Sequence, residues 1–286
     1  MGSLKEIKTR IQSVKSTEKI TSAMKMVSSA KSIKAERIVN GFLPYQRRMN
    51  EILKNYLSAE INEPSEYSII RDVEKVAIVV FASNSSLCGS YNANLIKRMQ
   101  QSIRTHRDVR KEDIYVFPIG KKVYQACQKL NINIAGNFEQ IADKPTFEST
   151  RDLAENLMKL FLDGEIDRVK VIYYHFESKG NQILTIDTFL PILLKYSNSH
   201  NVNIDYIIEP SVEEIRASLI PKVLHLRIYA AALDAAASEH ASRTMAMQIA
   251  SDNANDLLQD LSLQYNKSRQ QAITNELLDI MGGSFK

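Results

Sequence analysis

The two longest windows of this chain without glycine or proline are residues 3–40 and residues 222–281. Glycine breaks regular structure through its conformational freedom, and proline through its missing amide and its ring. Windows of 38 and 60 residues without either predict two helices far longer than the ~11–12 residues usual in globular proteins. At 1.5 Å per residue the second would span about 90 Å. A compact globule of this length has a radius of gyration of about 19 Å. The long helix cannot be wrapped inside such a globule, so it must project, and a projecting helix with an apolar stripe needs a partner. The first helix supplies one. The pair is expected to be antiparallel, because both helices rise from the same middle segment.

The local signals agree with this layout. Ser3 and Glu6 have the spacing of a capping box at the start of the first helix, and Ser211 and Glu214 have it at the start of the second. Pro210 and Ile215 could staple that second start, Pro221 is expected to kink it, and Gly282-Gly283 to end it. In the first helix Leu4, Ile7, Ile11 and Val14 alternate by three and four, the spacing of a coiled-coil seam. The register then meets Glu18 and Thr21, while apolar residues restart at Ile20, Met24, Val27 and Ala30. This predicts a slip of the seam after Val14. The second helix carries apolar residues from Val223 and Leu226 through an alanine-rich stretch at 230–237 to Met245, Ile249, Leu257, Leu261, Tyr265, Ile273 and Ile280.

Between the arms, strands alternate with helices. Strands are expected at 75–82, 113–119, 132–135, 168–176 and 182–190, and helices at 92–105, 121–130 and 149–162. The short turn before residue 182 makes the last two strands antiparallel. The fold class is therefore α/β, with a long antiparallel coiled coil flanking a central open-sheet, Rossmann-like domain. The expected domains are residues 1–60 and 211–286 as helical arms and 70–208 as the α/β domain.

Charge narrows the function classes. Residues 1–55 hold twelve Lys or Arg against four Asp or Glu, a net +8, whereas residues 210–286 are net −2. A basic arm suits nucleic acid, an anionic membrane or an acidic protein partner. No aromatic residue precedes Phe42, so stacking on bases has no support there, and nucleic acid is set aside. No apolar run reaches the ~18 residues of a membrane span, and the first residues lack the apolar core of a signal peptide. Cys88 and Cys127 suggest a reducing compartment without a disulfide framework.

Candidate chemistry is sparse. The segment Ser83-Asn-Ser-Ser-Leu-Cys-Gly-Ser90 lies after the first strand, where a doubly wound fold binds a dinucleotide, but only Gly89 stands where the fingerprint needs three glycines. It is read as structural. Cys88 is read as packing ahead of a reactive thiol near a helix start, and Cys127 as packing. None of the five histidines has metal-ligand spacing to a partner. No catalytic centre, metal or cofactor is assigned, which favours an interaction or mechanical role.

Three segments resemble one family. Residues 7–31 (IKTRIQSVKSTEKITSAMKMVSSAK), 83–97 (SNSSLCGSYNANLIK) and 273–286 (ITNELLDIMGGSFK) are similar to the gamma subunit of F-type rotary ATP synthases. In the last segment Ile273, Thr274, Glu276, Asp279 and Gly283 fit the family signature, and Ser284 stands where alanine is usual. The resemblance implies a bacterial, non-catalytic subunit: the central rotor shaft of a proton-translocating ATP synthase. It would couple rotation of the membrane c ring to ATP synthesis or hydrolysis on the beta subunits. Implied partners are three alpha and three beta subunits, the epsilon subunit and the c ring, with the chain peripheral on the cytoplasmic side of the inner membrane. By the same resemblance Met24 and Lys25 lie near acidic lever loops of the beta subunits. Arg243, Gln270, Thr274 and Glu276 face the bore of the ring, and Tyr206 and Glu209 lie near epsilon or the c ring. Each could equally be a solvated helix position. Two rival functions stand beside this one, a nucleotide-binding α/β enzyme with helical arms and a passive coiled-coil scaffold.

Overall fold

The computed structural model describes residues 4–59, 65–106, 109–192 and 211–283. The elements run in chain order α1 (Leu4–Ala59), β1 (Val76–Phe81), α2 (Tyr91–Thr105), β2 (Ile114–Ile119), α3 (Lys121–Lys129), β3 (Asn133–Ile134), α4 (Glu139–Asp143), α5 (Phe147–Leu162), β4 (Arg168–Phe176), β5 (Gln182–Leu190) and α6 (Val212–Gly283). Two of the capping residues expected from sequence, Ser3 and Pro210, lie outside the described residues, as do Tyr206, Glu209 and Ser284. Ser211 does cap α6, its hydroxyl accepting from the Glu214 amide at 3.2 Å.

The chain divides into two compact units, one of residues 1–30 with 243–286 and one of residues 31–242. In the second unit five strands form one sheet in the order β3-β2-β1-β4-β5. β1 pairs parallel with β2 and β4, β2 parallel with β3, and β4 antiparallel with β5. β1 is an unbroken apolar run, VAIVVF, with every residue buried, as a central parallel strand covered on both faces requires. Its side chains alternate between two cores. Ala77, Val79 and Phe81 meet α5, the start of α6 and Leu53 of α1. Val76, Ile78 and Val80 meet α2 and α3 through Leu95, Met99, Val123 and Cys127. A third cluster joins Val39 of α1 to Leu233, Ala237 and Ala241 of α6 and Phe176 of β4.

Both long helices run through residues that ordinarily stop a helix. α1 contains Gly41 and Pro44, and α6 contains Pro221. A helix-interior glycine costs about 1 kcal/mol and a proline about 3 kcal/mol. Packing offsets this where it occurs. Phe42 stacks edge-on against Tyr229 with ring centroids 5.0 Å apart. Pro221 sits between Ile220, Val223 and Leu224, all fully buried. The helix therefore runs on past the breaker-free window, which ends at residue 40, to Ala59.

In the first unit α1 and α6 form the coiled coil, and the seam differs from the expected one. On α1 the inward positions keep one unbroken alternation, Leu4, Ile7, Ile11, Val14, Glu18, Thr21, Lys25 and Ser28, each half-buried or buried. On α6 the matching stripe is Met247, Ser251, Ala254, Leu258, Leu261, Tyr265, Ser268 and Ala272. The register does not slip. Ile20 and Val27, expected on the inner face, are 60% and 58% exposed, and Met245, Ile249 and Ile273 are exposed as well. Small hydroxyl side chains hold the middle of the seam, where Thr21 Oγ1 lies 2.8 Å from Ser251 Oγ. Within the second unit residue numbers rise on α1 as they fall on α6, from Phe42 at Tyr229 to Leu53 in the cluster of Ile220, Val223 and Leu224, which is the antiparallel sense.

Candidate functional site

The loop between β1 and α2 is the place where an open parallel sheet offers a ligand crevice. Here the loop's polar groups are spent on one another. The Ser83 amide donates to Asn92 Oδ1 at 3.1 Å, and the Ser83 hydroxyl donates to the Ser85 carbonyl at 2.6 Å. Asn92 Nδ2 donates to Ser83 Oγ at 2.8 Å and to Cys88 Sγ at 3.1 Å. Asn84 ties the loop sideways, accepting from the Lys121 amide at 2.8 Å and donating to the Glu139 carbonyl at 3.0 Å. Leu87 and Gly89 take positive φ to make the turn. The loop thus fastens β1 to α2, α3 and α4, and its asparagines and serines read as clasps rather than phosphate ligands. Cys88 is buried within it. Cys127 is buried beside Met99, and burial pushes its thiol up to about 11.

A second group of polar residues lines a cavity of about 160 Å³ between β4, β5, α1 and α6. Asp234 Oδ2 lies 2.6 Å from His175 Nδ1, and Arg227 Nη2 lies 3.2 Å from Asp187 Oδ2. Burial raises the Asp234 carboxyl above its ordinary value, and the hydrogen bond from His175 opposes that rise. Burial likewise pushes Tyr173 up to about 12. Each acid in the cavity is hydrogen-bonded to a base, so these polar side chains are partnered with one another. Among the described residues no group of three or more His, Cys, Asp or Glu could hold a metal ion.

The remaining candidates lie on the coiled-coil unit. Lys25 falls in the seam register and Met24 beside it, both half-buried. A lysine there can lay its stem along the apolar stripe while its ammonium reaches water. Arg243 is 8% exposed, against the expectation of a solvated position as its alternative. Gln270, Thr274 and Glu276 are exposed, and Thr274 Oγ1 donates to the Gln270 carbonyl at 2.9 Å. The six residues do not form one site; they are spread along two helices. The sequence reading missed the outward apolar set of Ile20, Met26, Val27, Met245, Ile249 and Leu263, all exposed. Exposed apolar residues repeated along a helix pair mark a surface made to be covered. The signal was present, since strict continuation of the Leu4–Val14 register already points Ile20 and Val27 outward.

Similarity to known proteins extends over nearly the whole length. The family described as "ATP synthase" matches residues 3–285. The ATP synthase gamma chain of Bacteroides thetaiotaomicron is 52% identical over 298 aligned positions, covering 100% of both chains. That of Bacteroides fragilis is 53% identical over 289 positions, covering 99% of each. Among solved structures, a chain of the Euglena gracilis mitochondrial ATP synthase in its OSCP/F1/c-ring, rotational state 3, shares the fold with a TM-score of 0.67 at 20% identity, covering 99% of this chain and 93% of that one.

Proposed function

We propose a working mechanism from one premise: the chain belongs to the ATP synthase gamma-chain family. It is the central rotor shaft of an F-type ATP synthase, partnered by the alpha and beta subunits and by the c ring. The observation that carries this reading is the match of the entire chain to gamma chains at about half identity. The outward apolar residues of the coiled-coil unit and the basic balance of residues 1–55 support it, because a shaft turning in a protein sleeve needs a covered surface that bonds nowhere strongly.

The mechanism follows from symmetry and linkage. One asymmetric shaft inside three alpha–beta pairs cannot touch all three catalytic sites alike. Each shaft angle biases the three sites towards different conformations, and turning the shaft permutes the biases. The coupling is reciprocal: if shaft angle changes nucleotide affinity, nucleotide binding and hydrolysis change shaft angle. In this reading ATP chemistry stays on the beta subunits and the chain has no active site of its own. Residues 1–60 and 211–286 act as the shaft and residues 70–208 as the foot on the c ring, where epsilon also binds. Met24 and Lys25 meet the beta subunits, and Arg243, Gln270, Thr274 and Glu276 meet the bore of the ring. Tyr206 and Glu209 meet epsilon or the c ring. No helix among the described residues is long and apolar enough to cross a membrane, which fits a peripheral place on the cytoplasmic face of a bacterial inner membrane. The test is purification of the native assembly. One copy of this chain per three alpha and three beta subunits is expected, and any other ratio overturns the reading.

A further inference from the structure

Four polar residues on one stripe of α6 reach the β4–β5 hairpin: Arg227, Asp234, Ser238 and Ser242, at spacings of seven, four and four. Arg227 donates to Asp187 Oδ2 at 3.2 Å and to the Thr188 carbonyl at 2.9 Å, and its guanidinium lies 5.7 Å from the centre of the Phe189 ring. Asp234 meets His175 at 2.6 Å. Ser238 donates to the Tyr174 carbonyl at 3.1 Å, and Ser242 to Gln182 Oε1 at 3.2 Å. Arg227 holds the open end of the hairpin, and Asp234, Ser238 and Ser242 hold the half nearer its turn. Fifteen residues of helix cover about 22 Å, and the strand positions they visit cover about 20 Å, so the helix lies along the hairpin and is laced to it at four points.

The same helix also buries a broad alanine-rich face, Ala230, Ala231, Ala232, Ala235 and Ala237. Apolar burial is non-directional, and small flat side chains give a rolling helix little to catch on. Hydrogen bonds differ. Side-chain heads stand about 5–6 Å from a helix axis, so a 20° roll moves them by about 2 Å. That displacement is enough to break a bond that fails beyond about 3.5 Å. From this geometry we infer that Arg227, Asp234, Ser238 and Ser242 are positioning residues that key α6 against rolling on the β4–β5 hairpin, and so set the load the rotor carries before it slips. The inference rests on the rotor reading above.

The test uses the whole ATP synthase in vesicles, carrying either R227K or S238A/S242A. Arg227→Lys keeps the charge and loses the fork of donors. The serine pair is replaced by the better helix former, so folding is retained. Two quantities are measured: the ATPase rate without a gradient, and the largest proton gradient that ATP hydrolysis sustains, read with a pH-sensitive dye. In both variants the unloaded ATPase rate is expected to match wild type and the sustained gradient to fall about two-fold. A purely structural role would lower both quantities together. The inference is overturned if either variant sustains the wild-type gradient, or if the two quantities fall in step. Failure of the rotor reading shows separately, as a wild-type chain that supports no coupled pumping at all.

Discussion

At the scale of single residues, Gly120 carries one of the sharpest constraints in the fold. It joins β2 to α3 with φ +105, and a Cβ built there would lie 2.2 Å from the Ala82 carbonyl oxygen. That space holds backbone rather than a yielding side-chain tip. Gly120→Ala is therefore expected to cost about 3 kcal/mol, combining φ strain and a backbone shift, read as a fall in the urea midpoint. His225 gives a pH-dependent prediction. It is half-buried on α6, with Nε2 3.7 Å from Glu155 Oε1. Burial holds its pKa below the ordinary 6.5, Glu155 opposes that and Arg151 adds to it. A base whose folded pKa is depressed favours the neutral form in the native state. Its contribution is present above pH 6.5 and is lost as pH falls through the folded pKa, because the unfolded chain takes up the proton first. His225→Gln should flatten the dependence of Tm on pH between 7 and 5. An unchanged slope would assign the acid sensitivity elsewhere.

At the scale of elements, the seam separates residues that look alike in sequence. Leu261 is 2% exposed in the α6 stripe, and Val27 faces outward on α1. Leu261→Ala should cost about 2–4 kcal/mol, whereas Val27→Ser should stay within about 0.5 kcal/mol; chemical denaturation of the two variants distinguishes the seam observed from the slipped one expected. The strands show how much was legible. The β4 and β5 boundaries read from alternation and turns agree with the structure residue for residue, and those of β1 and β2 are one or two residues too long. Strand side chains repeat every second residue and are bounded by turn chemistry, so local signals suffice. The seam failed for the opposite reason. Its middle is held by Thr21, Ser28 and, on α6, Ser251, which carry no hydrophobic signal, while the apolar residues beside them serve an outer surface. α4, five residues long, was not anticipated, since one turn of helix has no periodicity to read. The positions proposed to meet the ring lie on helix faces that only a partner would make conspicuous, so the resemblance located them and residue chemistry did not.

At the scale of the whole molecule, residues 273–281 at the end of α6 are all exposed, Leu277, Leu278 and Ile280 among them. Apolar side chains left so bare are expected to matter to the assembly more than to the chain's own fold. Removing residues 262–286 should lower the number of protons pumped per ATP before it prevents assembly, and an unchanged ratio in the truncated complex would count against that role. The coiled coil has one more consequence, which concerns time. Thr21 and Ser251, which touch across the seam, are 230 residues apart in sequence. At a synthesis rate of about 5–20 residues per second, the first helix leaves the ribosome about 10–50 seconds before its mate exists. A leucine-rich stripe kept waiting that long would find other greasy surfaces first. Glu18, Thr21, Lys25 and Ser28 in the second half of the stripe lessen that hazard until the last part of the chain arrives to close the pair.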